Sequence, residues 1–463
     1  MRTHFNFIRK ENRYLITNDF GNYAFLSNSE FQDLVKDNIH INHQRYDELA
    51  RKYFVFDTSQ EEFIESSVNA LRYAKKYMLS ATQLFIFVVT TNCNLNCIYC
   101  QAKDKSVMKH GFMDKNVASR AINILLSSPA EALTIEFQGG EPLENFAIIK
   151  YIVEEIENRN ITKDIRFSLV SNLLLLTEDI SDFLKKHNIG ISTSIDGNRE
   201  VHDYNRHTFS KKGTYDEVIR KINDLRNKGM NVGAIETTTR NSLGQYKEII
   251  DAYVENKLDV IFIRPLTPLG VASLKWEDIG YSEDEFIEFY KQSIQYLLEL
   301  NKRGIEISEG HASIFLSKIL RGNGLNYMEL RSPCGASIGQ MAFNYDGNIY
   351  TCDEGRMIAE MGDQSFKIGT VNDDYISLVS SNACKICSSA SVIEALPECC
   401  GCVYQPYCGI CPVVNYALDG DVFARQSNNY KCKIYKGMLD VLFSILEKED
   451  KQEMEILYSW CED

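Results

Sequence analysis

Six apolar, β-branched runs alternate with helical patterns between Leu84 and Pro265, and this alternation constrains the fold more than any other feature. The runs cover residues 84–90, 133–138, 165–172, 190–195, 231–238 and 259–265. Strands that alternate with helices form a parallel sheet with covered faces, either an open doubly wound sheet or a partial barrel. In both arrangements, ligand chemistry is expected at the carboxyl ends of the strands.

Fourteen cysteines are unevenly distributed over the 463 residues: none precedes Cys93, and eleven lie between Cys334 and Cys461. The N-terminus lacks a signal-peptide core, and no stretch approaches the about 18 apolar residues of a membrane span. We therefore expect a cytoplasmic protein whose reduced thiols bind metal or do redox work rather than form disulfides. The net charge of −14 argues against nucleic acid or anionic lipid as a partner.

Three cysteines follow the first apolar run in the loop TTNCNLNCIYC, as Cys93, Cys97 and Cys100. Three thiolates can ligate three irons of a four-iron cluster and leave the fourth iron open. A zinc loop is the alternative, but zinc sites usually combine two cysteine pairs. No fourth ligand is close, because His110 lies ten residues beyond Cys100. The spacing favours a catalytic iron–sulfur site.

The second and third runs end in polar motifs that suit a ligand. Gly139 and Gly140 would let a ligand approach the backbone, and Glu141 would receive a cationic amino group. Ser171 and Asn172 would hydrogen-bond a ribose. Taken alone, the first motif is also typical of an ordinary strand-to-helix turn, and the second of a helix cap.

The last three runs end in further polar residues. Ser194 is a candidate cofactor contact, whereas Asp196 with Gly197 is equally typical of a turn. Glu236 ends the fifth run, and Arg264 in the sixth suits either a ligand or a structural carboxylate.

The C-x3-C-x2-C loop, with Tyr99 before its third cysteine, resembles the radical S-adenosylmethionine (SAM) superfamily. The resemblance implies a partial (β/α)6 TIM-like barrel and a [4Fe–4S] cluster whose open iron is chelated by S-adenosylmethionine. Reductive cleavage of that cofactor then yields methionine and a 5′-deoxyadenosyl radical, which abstracts a hydrogen atom from the substrate. The implied cofactor-binding residues are Tyr99, Gly139, Gly140, Glu141, Ser171, Asn172, Ser194, Asp196, Glu236 and Arg264.

A second cysteine group lies in a segment with too few periodic runs to build a core alone, so metal ligation is expected there. Its spacing is similar to that of the seven-cysteine SPASM extension, which binds two auxiliary [4Fe–4S] clusters. The resemblance assigns Cys399, Cys402, Cys408 and Cys432 to an outer cluster and Cys334, Cys352 and Cys411 to an inner one. One or two structural zinc sites are the alternative.

The chain departs from the SPASM pattern in two places. Two residues rather than three precede Cys411, and a fourth ligand for the inner cluster is not obvious. Cys384, Cys387 or Cys400 would supply it, or one iron would stay open for substrate. Cys461 is also left over.

Asp353 directly follows Cys352. In the similar sulfatase-maturing enzymes, an aspartate at this place takes a proton from the substrate as it is oxidised, which makes Asp353 the candidate catalytic residue. The simpler interpretation is an acidic residue in a turn beside Gly355 and Arg356.

Residues 1–80 form a cysteine-free unit in which three short strands precede three helices, at 29–37, 44–52 and 61–78. This order resembles a winged-helix module, although a packing cap on the next domain explains it equally well. We expect the radical SAM core at 81–310, the SPASM domain at 311–440 and a C-terminal helix at 441–463, within one helical pattern over 435–460.

Over nearly its whole length the chain resembles the His-Xaa-Ser system radical SAM maturases, in segments such as LITNDFGNYAFLS and CVYQPYCGICPVVNYALDGD. The resemblance implies a maturase that modifies a ribosomally made precursor peptide, by oxidative crosslinking in the simplest case. The N-terminal module would bind the leader as an added strand, and a flavodoxin- or ferredoxin-type protein would supply electrons. The alternatives are an anaerobic sulfatase-maturing (formylglycine-forming) enzyme and a non-catalytic, zinc-stapled peptide-binding protein.

Overall fold

The computed structural model describes residues 1–102, 111–159, 161–426 and 429–461. Its N-terminal unit is a three-stranded antiparallel sheet followed by three helices, as the sequence predicts. The bounds are β1 Asn6–Arg9, β2 Tyr14–Thr17, β3 Tyr23–Leu26, α1 Asn28–Val35, α2 Tyr46–Arg51 and α3 Gln60–Ala74. Helix α1 begins earlier than expected because Ser27 caps it: the Ser27 hydroxyl accepts from the Glu30 N–H, and the Glu30 carboxylate accepts from the Ser27 N–H.

Six parallel strands, ordered as in the sequence, form the centre of the molecule. The strands are β4 Leu84–Thr90, β5 Ala132–Gly139, β6 Asp164–Val170, β7 Gly190–Ser194, β8 Val232–Thr237 and β9 Val260–Arg264. The helices between them are α4 Lys115–Leu126, α5 Phe146–Glu157, α6 Glu178–Lys186, α7 Arg199–Asn205, α8 Tyr215–Asn227 and α9 Tyr246–Glu255. Strand β4 is buried along almost all of its length, as in strands that helices cover on both faces. The predicted parallel α/β fold is confirmed.

The same sheet continues on both sides of the six strands, which the sequence pattern did not predict. Strand β10 (Ser308–Glu309) pairs parallel with β9, and β11 (Gln340–Phe343) pairs parallel with β4. Strands β12 (Asn348–Tyr350) and β13 (Lys367–Thr370) follow antiparallel. Strand β11 has only four residues, all buried, and such a short run has no readable periodicity. The cysteine-rich segment therefore shares one ten-stranded sheet with the partial barrel.

Helices complete the C-terminal half of the chain. They are α10 Val271–Leu274, α11 Trp276–Ile279, α12 Glu283–Lys302, α13 Gly310–Arg321, α14 Asp353–Glu360, α15 Tyr375–Val379, α16 Asn382–Ala390, α17 Pro412–Asp419, α18 Tyr430–Leu446 and α19 Lys451–Ser459. The prediction of one helix over 435–460 is wrong, because Glu449 adopts a left-handed φ of 54° and the Asp450 carboxylate caps a new helix by accepting from the Glu453 N–H. Among the helices of the described residues, none combines the length and the apolar character of a membrane-spanning segment.

The N-terminal sheet lies against the cysteine-rich segment. The Asn6 side-chain amide donates to the carbonyl oxygens of Cys400 and Cys402, at 3.0 and 3.2 Å. The Thr17 hydroxyl donates to the Val403 carbonyl oxygen at 2.7 Å. The small sheet is thus held beside the loop that carries the first cysteines of the predicted outer group.

Candidate functional site

Three cysteines of one loop lie at the interior of the partial barrel. Cys93, Cys97 and Cys100 follow β4 and line a cavity of about 660 Å³. Six of the predicted cofactor contacts line the same cavity, namely Tyr99, Gly140, Ser171, Asn172, Ser194 and Arg264. The structure therefore brings the cysteine loop and most of the predicted strand-end residues together.

Backbone hydrogen bonds from two other segments hold the cysteine loop. The Asn96 N–H donates to the His207 carbonyl oxygen at 2.8 Å, and the Val271 N–H donates to the Cys100 carbonyl oxygen at 2.9 Å. His110, considered as a ligand from the sequence, lies outside the described residues. The segments after β7 and β9 thus position the three sulfur atoms.

Gly139 and Gly140 pack against the backbone that leads into the cysteine loop. The Gly140 N–H donates to the Thr90 carbonyl oxygen at 2.9 Å, and the Glu141 N–H donates to the Asn92 carbonyl oxygen at 2.7 Å. A Cβ on Gly140 would lie 2.1 Å from the Asn92 oxygen, and a Cβ on Gly139 would lie 2.1 Å from the Thr90 oxygen. Only glycine permits this close approach of two backbones.

The Glu141 carboxylate is fully buried and holds two strand ends together. It accepts hydrogen bonds from the Ser171 hydroxyl at 2.7 Å, the Asn172 N–H at 2.8 Å and the Leu143 N–H at 3.0 Å. Burial raises the pKa of Glu141 to about 7, against the lowering effect of these donors. The Glu141 carboxylate therefore links the ends of β5 and β6, and its predicted contact with a cationic amino group stays a prediction.

Asn172 connects the third barrel strand to the cysteine loop. Its side-chain amide donates to the Asn94 side-chain oxygen at 2.8 Å and lies 3.9 Å from the Cys93 sulfur. Ser194, at the end of β7, faces the same cavity. These two polar side chains are placed for a ligand bound beside the three sulfur atoms.

Tyr99, Asp196 and Arg206 form a buried hydrogen-bonded network. The Tyr99 hydroxyl donates to Asp196 Oδ2 at 2.8 Å and accepts from Arg206 Nη1 at 2.8 Å. Burial raises the pKa of Asp196, although Arg206 and the Tyr99 hydroxyl favour its charged form. Sequence reasoning missed Arg206, and its signal was the H-D-x-x-R stretch that ends at this residue.

Two more titratable residues near this network are structural in character. Glu236 is fully buried and accepts from the Thr238 hydroxyl at 2.8 Å. Burial, and after it the nearby Asp196, raises the pKa of Glu236 well above its usual range. His202 is buried against the Thr214 hydroxyl at 3.1 Å, and burial lowers its pKa to about 3. Glu236, predicted as a cofactor contact, is fully buried and does not line the cavity, and its raised pKa favours the protonated carboxyl group.

Arg264 belongs to a second charged network, which joins β9 to α18. Arg264 Nη2 donates to Glu329 Oε1 at 2.6 Å, and Lys431 Nζ donates to Glu329 Oε2 at 3.1 Å. Burial alone would raise the pKa of Glu329, but Lys431 and Arg264 hold it below its usual value. Of the two roles that the sequence allowed for Arg264, the structure shows the pairing with a carboxylate.

Asp353 lines the cavity from the C-terminal segment, at the start of α14. Arg356 donates from Nε and Nη2 to Asp353 Oδ1, at 3.0 and 2.6 Å, and its own side chain is 1% exposed. Glu136 on β5 lines the same cavity, and burial raises its pKa, partly offset by a hydrogen bond from Gln138. Glu136 gave no signal in the sequence, because one acid in an apolar run does not reveal which way it points.

Four C-terminal cysteines converge on a second cavity. Cys399, Cys402, Cys408 and Cys432 line it together with Lys436. Burial lowers the pKa of Lys436, but the four neighbouring sulfur atoms outweigh this effect and raise it. The predicted outer group is therefore one cluster of thiols next to a cation.

The three predicted inner cysteines are buried in one apolar cluster. Burial raises the thiol pKa of Cys334, Cys352 and Cys411, in the case of Cys411 to about 11. Cys411 also lines the cavity of the outer group, so the two groups adjoin. Within the described parts of the chain, no three His, Cys, Asp or Glu side chains converge closely enough to hold a single metal ion.

The donor chemistry at these places fits iron–sulfur clusters. Thiolates are the usual protein ligands of [4Fe–4S] clusters. The barrel loop offers three thiols beside an open cavity, and the outer group offers four thiols around another.

Comparison with known proteins agrees with this chemistry. Residues 87–255 match the model of the radical SAM superfamily. The chain is 24% identical to the radical SAM cyclopropyl synthase TigE of Paramaledivibacter caminithermalis, over 87% of this chain and 83% of that protein. It is also 24% identical to the cysteine-type anaerobic sulfatase-maturating enzyme of Clostridium novyi, over 71% of this chain and 87% of that enzyme. The solved structure of anSMEcpe with bound AdoMet and Kp18Cys peptide is similar, with a TM-score of 0.66 and 20% identity over 79% of this chain and 98% of that chain.

A three-cysteine loop that follows the first strand of a partial parallel barrel defines, together with the superfamily match, a radical SAM protein. Residues 87–255 therefore form a radical SAM domain, and members of that superfamily use a [4Fe–4S] cluster and S-adenosylmethionine. Over most of its length the chain also has the fold of anSMEcpe, and its sequence is similar to those of TigE and the Clostridium novyi enzyme.

Proposed function

We propose that this enzyme modifies a ribosomally made precursor peptide, by oxidative crosslinking in the simplest case. One observation carries the proposal: the cysteine loop and Asp353 line the same cavity. A substrate in this cavity would meet the radical site and the carboxylate that follows an inner cysteine. The anSMEcpe structure with a bound peptide supports a peptide substrate for this fold.

In this proposal, Cys93, Cys97 and Cys100 hold the cluster of the radical site, and Asn172 and Ser194 contact S-adenosylmethionine. When bound, the cluster and S-adenosylmethionine supply an organic radical that removes one hydrogen atom from the substrate. The chain itself supplies position and exclusion of water. The glycine turn at the end of β5 and the segment after β7 keep the cysteine loop in place.

Asp353 is the proposed acceptor of the proton that the substrate loses on oxidation. Both hydrogen bonds from Arg356 go to Oδ1, which leaves Oδ2 as the atom for the substrate proton. Glu136, whose burial favours the protonated form, would donate a hydrogen bond to a substrate carbonyl group. Two carboxyl groups in different environments would thus divide the acid and base roles.

Two auxiliary [4Fe–4S] clusters belong to the proposal. Their ligands would be the outer group of Cys399, Cys402, Cys408 and Cys432 and the inner group of Cys334, Cys352 and Cys411. The chemistry that such clusters supply when bound is the uptake of the remaining electron. A flavodoxin- or ferredoxin-type protein would reduce the radical-site cluster.

The N-terminal unit, residues 1–80, is the proposed leader-binding module, and β1 is one of the two edge strands of its sheet. The Lys10 N–H donates to the Arg13 carbonyl oxygen, and hydrogen-bonded pairs alternate along an antiparallel ladder. The backbone groups of Phe7 and Arg9 therefore point away from β2. Both residues are exposed, so an extended leader could add to this edge.

The test uses the full chain, reconstituted anaerobically, with S-adenosylmethionine, a reductant and the short peptide encoded beside the gene. We expect 5′-deoxyadenosine and a peptide that has lost two hydrogen atoms. Cys97→Ala should abolish both products, whereas Cys400→Ala, which removes an exposed thiol, is the matched control and should keep both. Absence of 5′-deoxyadenosine from the iron-loaded parent would refute radical chemistry. An unchanged peptide mass would refute crosslinking, and colourless protein that holds zinc would favour the zinc-stapled alternative.

A sulfatase-maturing activity is the second candidate, favoured by Asp353 after Cys352 and by the similarity to the Clostridium novyi enzyme. The anSMEcpe structure covers 79% of this chain, so about a fifth of the chain lies outside that match, which counts against this candidate. Conversion of a sulfatase peptide to formylglycine, with no change in the neighbouring precursor peptide, would establish it.

A further inference from the structure

A fourth buried cysteine lies with the three proposed inner ligands. Cys387, on α16, is 0% exposed and belongs to the same apolar cluster as Cys334, Cys352 and Cys411. Burial, and after it the neighbouring Cys411, raises the thiol pKa of Cys387 to about 12. Four thiols thus share one desolvated region of the C-terminal segment.

Hydrogen bonds fix the part of α16 that carries Cys387 relative to Cys334. The Ser391 hydroxyl donates to the Cys387 carbonyl oxygen at 2.7 Å and accepts from the Cys334 N–H at 2.9 Å. One serine therefore holds the backbones of the two cysteines together beside the buried cluster that contains both side chains.

The other three unassigned cysteines lie in different surroundings. Cys384 is one turn earlier on α16 and lies outside the buried cluster of the inner cysteines. Cys400 is exposed. Cys461 packs in the main core beyond α19, where its thiol donates to the Leu457 carbonyl oxygen at 3.4 Å. Of the four, Cys387 alone belongs to the buried cluster that contains the inner cysteines.

We propose that Cys387 is the fourth protein ligand of the inner [4Fe–4S] cluster, with Cys334, Cys352 and Cys411. This inference rests on the inner cluster of the proposed function and deepens it. A cluster with a thiolate on each iron has no position for a donor atom of the substrate. On this side of the cavity, the substrate would then meet Asp353 rather than an open iron.

The experiment isolates the auxiliary clusters in the full chain with Cys93, Cys97 and Cys100 all changed to Ala. We expect this background to bind about eight irons per chain. Its reduced electron paramagnetic resonance (EPR) spectrum should not change on addition of cyanide, because every iron carries a thiolate. Cys387→Ala in this background should either lose about four irons or keep them with a spectrum that cyanide alters, since one iron would then be open.

Cys384→Ala is the matched control, because it removes a buried thiol from the same helix one turn away. It should keep about eight irons per chain and a reduced EPR spectrum that does not change on addition of cyanide. If Cys387→Ala does not fold, Cys387→Ser is measured in the same way. Full iron content and a cyanide-insensitive spectrum in the folded Cys387 variant would overturn the assignment. So would a cyanide-sensitive spectrum in the background protein, since an iron would already be open.

The result is separable from the proposed function. The background lacks the radical site, so failure to modify any peptide does not affect the ligand count. A background protein with zinc in place of iron would instead overturn the auxiliary clusters and, with them, this inference.

Discussion

Gly140→Ala tests whether the glycine turn after β5 positions the cysteine loop. The added Cβ would lie 2.1 Å from the Asn92 carbonyl oxygen and 2.7 Å from the Thr91 carbonyl oxygen. The shorter contact must lengthen by about 1 Å or more to reach ordinary van der Waals distance. Both atoms are backbone, so no side-chain rotation relieves the clash. Overpacking typically costs about 1–3 kcal/mol, and we expect the upper end of this range.

The displaced residue Asn92 directly precedes Cys93, so the strain falls on the radical-site loop. After anaerobic reconstitution, iron should fall from about twelve to about eight per chain, with the auxiliary EPR signals retained. A destabilisation of about 3 kcal/mol corresponds to a fall in Tm of about 6 °C or more in a domain of 150–250 residues. Differential scanning calorimetry and iron analysis measure the two effects.

The matched control is Gly233→Ala on the barrel strand β8. Its added Cβ would lie 3.8 Å from the nearest atom, the Ile191 carbonyl oxygen, which is an ordinary contact. This variant should keep its full iron content and a Tm close to that of the parent. If Gly140→Ala behaves like Gly233→Ala in both measurements, the turn does not position the loop and the reasoning is refuted.

Two further predictions concern the leader and the outer cluster. Arg9→Pro removes an outward-pointing N–H from β1 without breaking the hydrogen bonds to β2. It should therefore weaken binding of the full precursor but not of a leaderless peptide. Fluorescence anisotropy measures both affinities, with Arg9→Ala as the control. Equal affinities of both variants for the full precursor would exclude this edge as the binding site. Lys436→Met removes a cation beside the outer cysteines, so it should lower the reduction potential of the outer cluster by tens of millivolts in an EPR-monitored titration. The exposed Lys448→Met is its control, and an unchanged potential in Lys436→Met would contradict the proposed location of that cluster.

The central strands and the cysteine loop were predictable because their signals are local. Each barrel strand falls on a run rich in apolar and β-branched residues, and the three cysteines lie within eight residues of one loop. Strand β11 was not predictable, since its four residues are strand only through pairing with β4. The break between α18 and α19 depends on the left-handed conformation of Glu449, for which its side chain has no preference.

Within the site, the sequence predicted which residues meet but not what each one binds. Glu141 stands in a motif that suits a ligand, yet its carboxylate is used by donors from the next strand, which only tertiary contacts reveal. Arg206 and Glu136 reach the barrel interior from a helix end and a strand. Arg206 ends the H-D-x-x-R stretch, whereas no spacing marks Glu136. Cys387 joins the inner cysteines because of how α16 packs, which spacing along the chain cannot show.

The pairing of β11 with β4 fixes the position of the cysteine-rich segment relative to the first barrel strand. Strand β12 runs antiparallel to β11, and its register places Cys352 close to the level of Leu84, where β4 begins. Helix α14, which begins at Asp353, leads back from there toward the cysteine loop that follows β4. Arg356, the partner of Asp353, is close enough to Cys100 for that sulfur to favour the charged guanidinium. A shift of β11 by two residues relative to β4, which preserves the side-chain alternation, would therefore move Asp353 by about 7 Å relative to the cysteine loop.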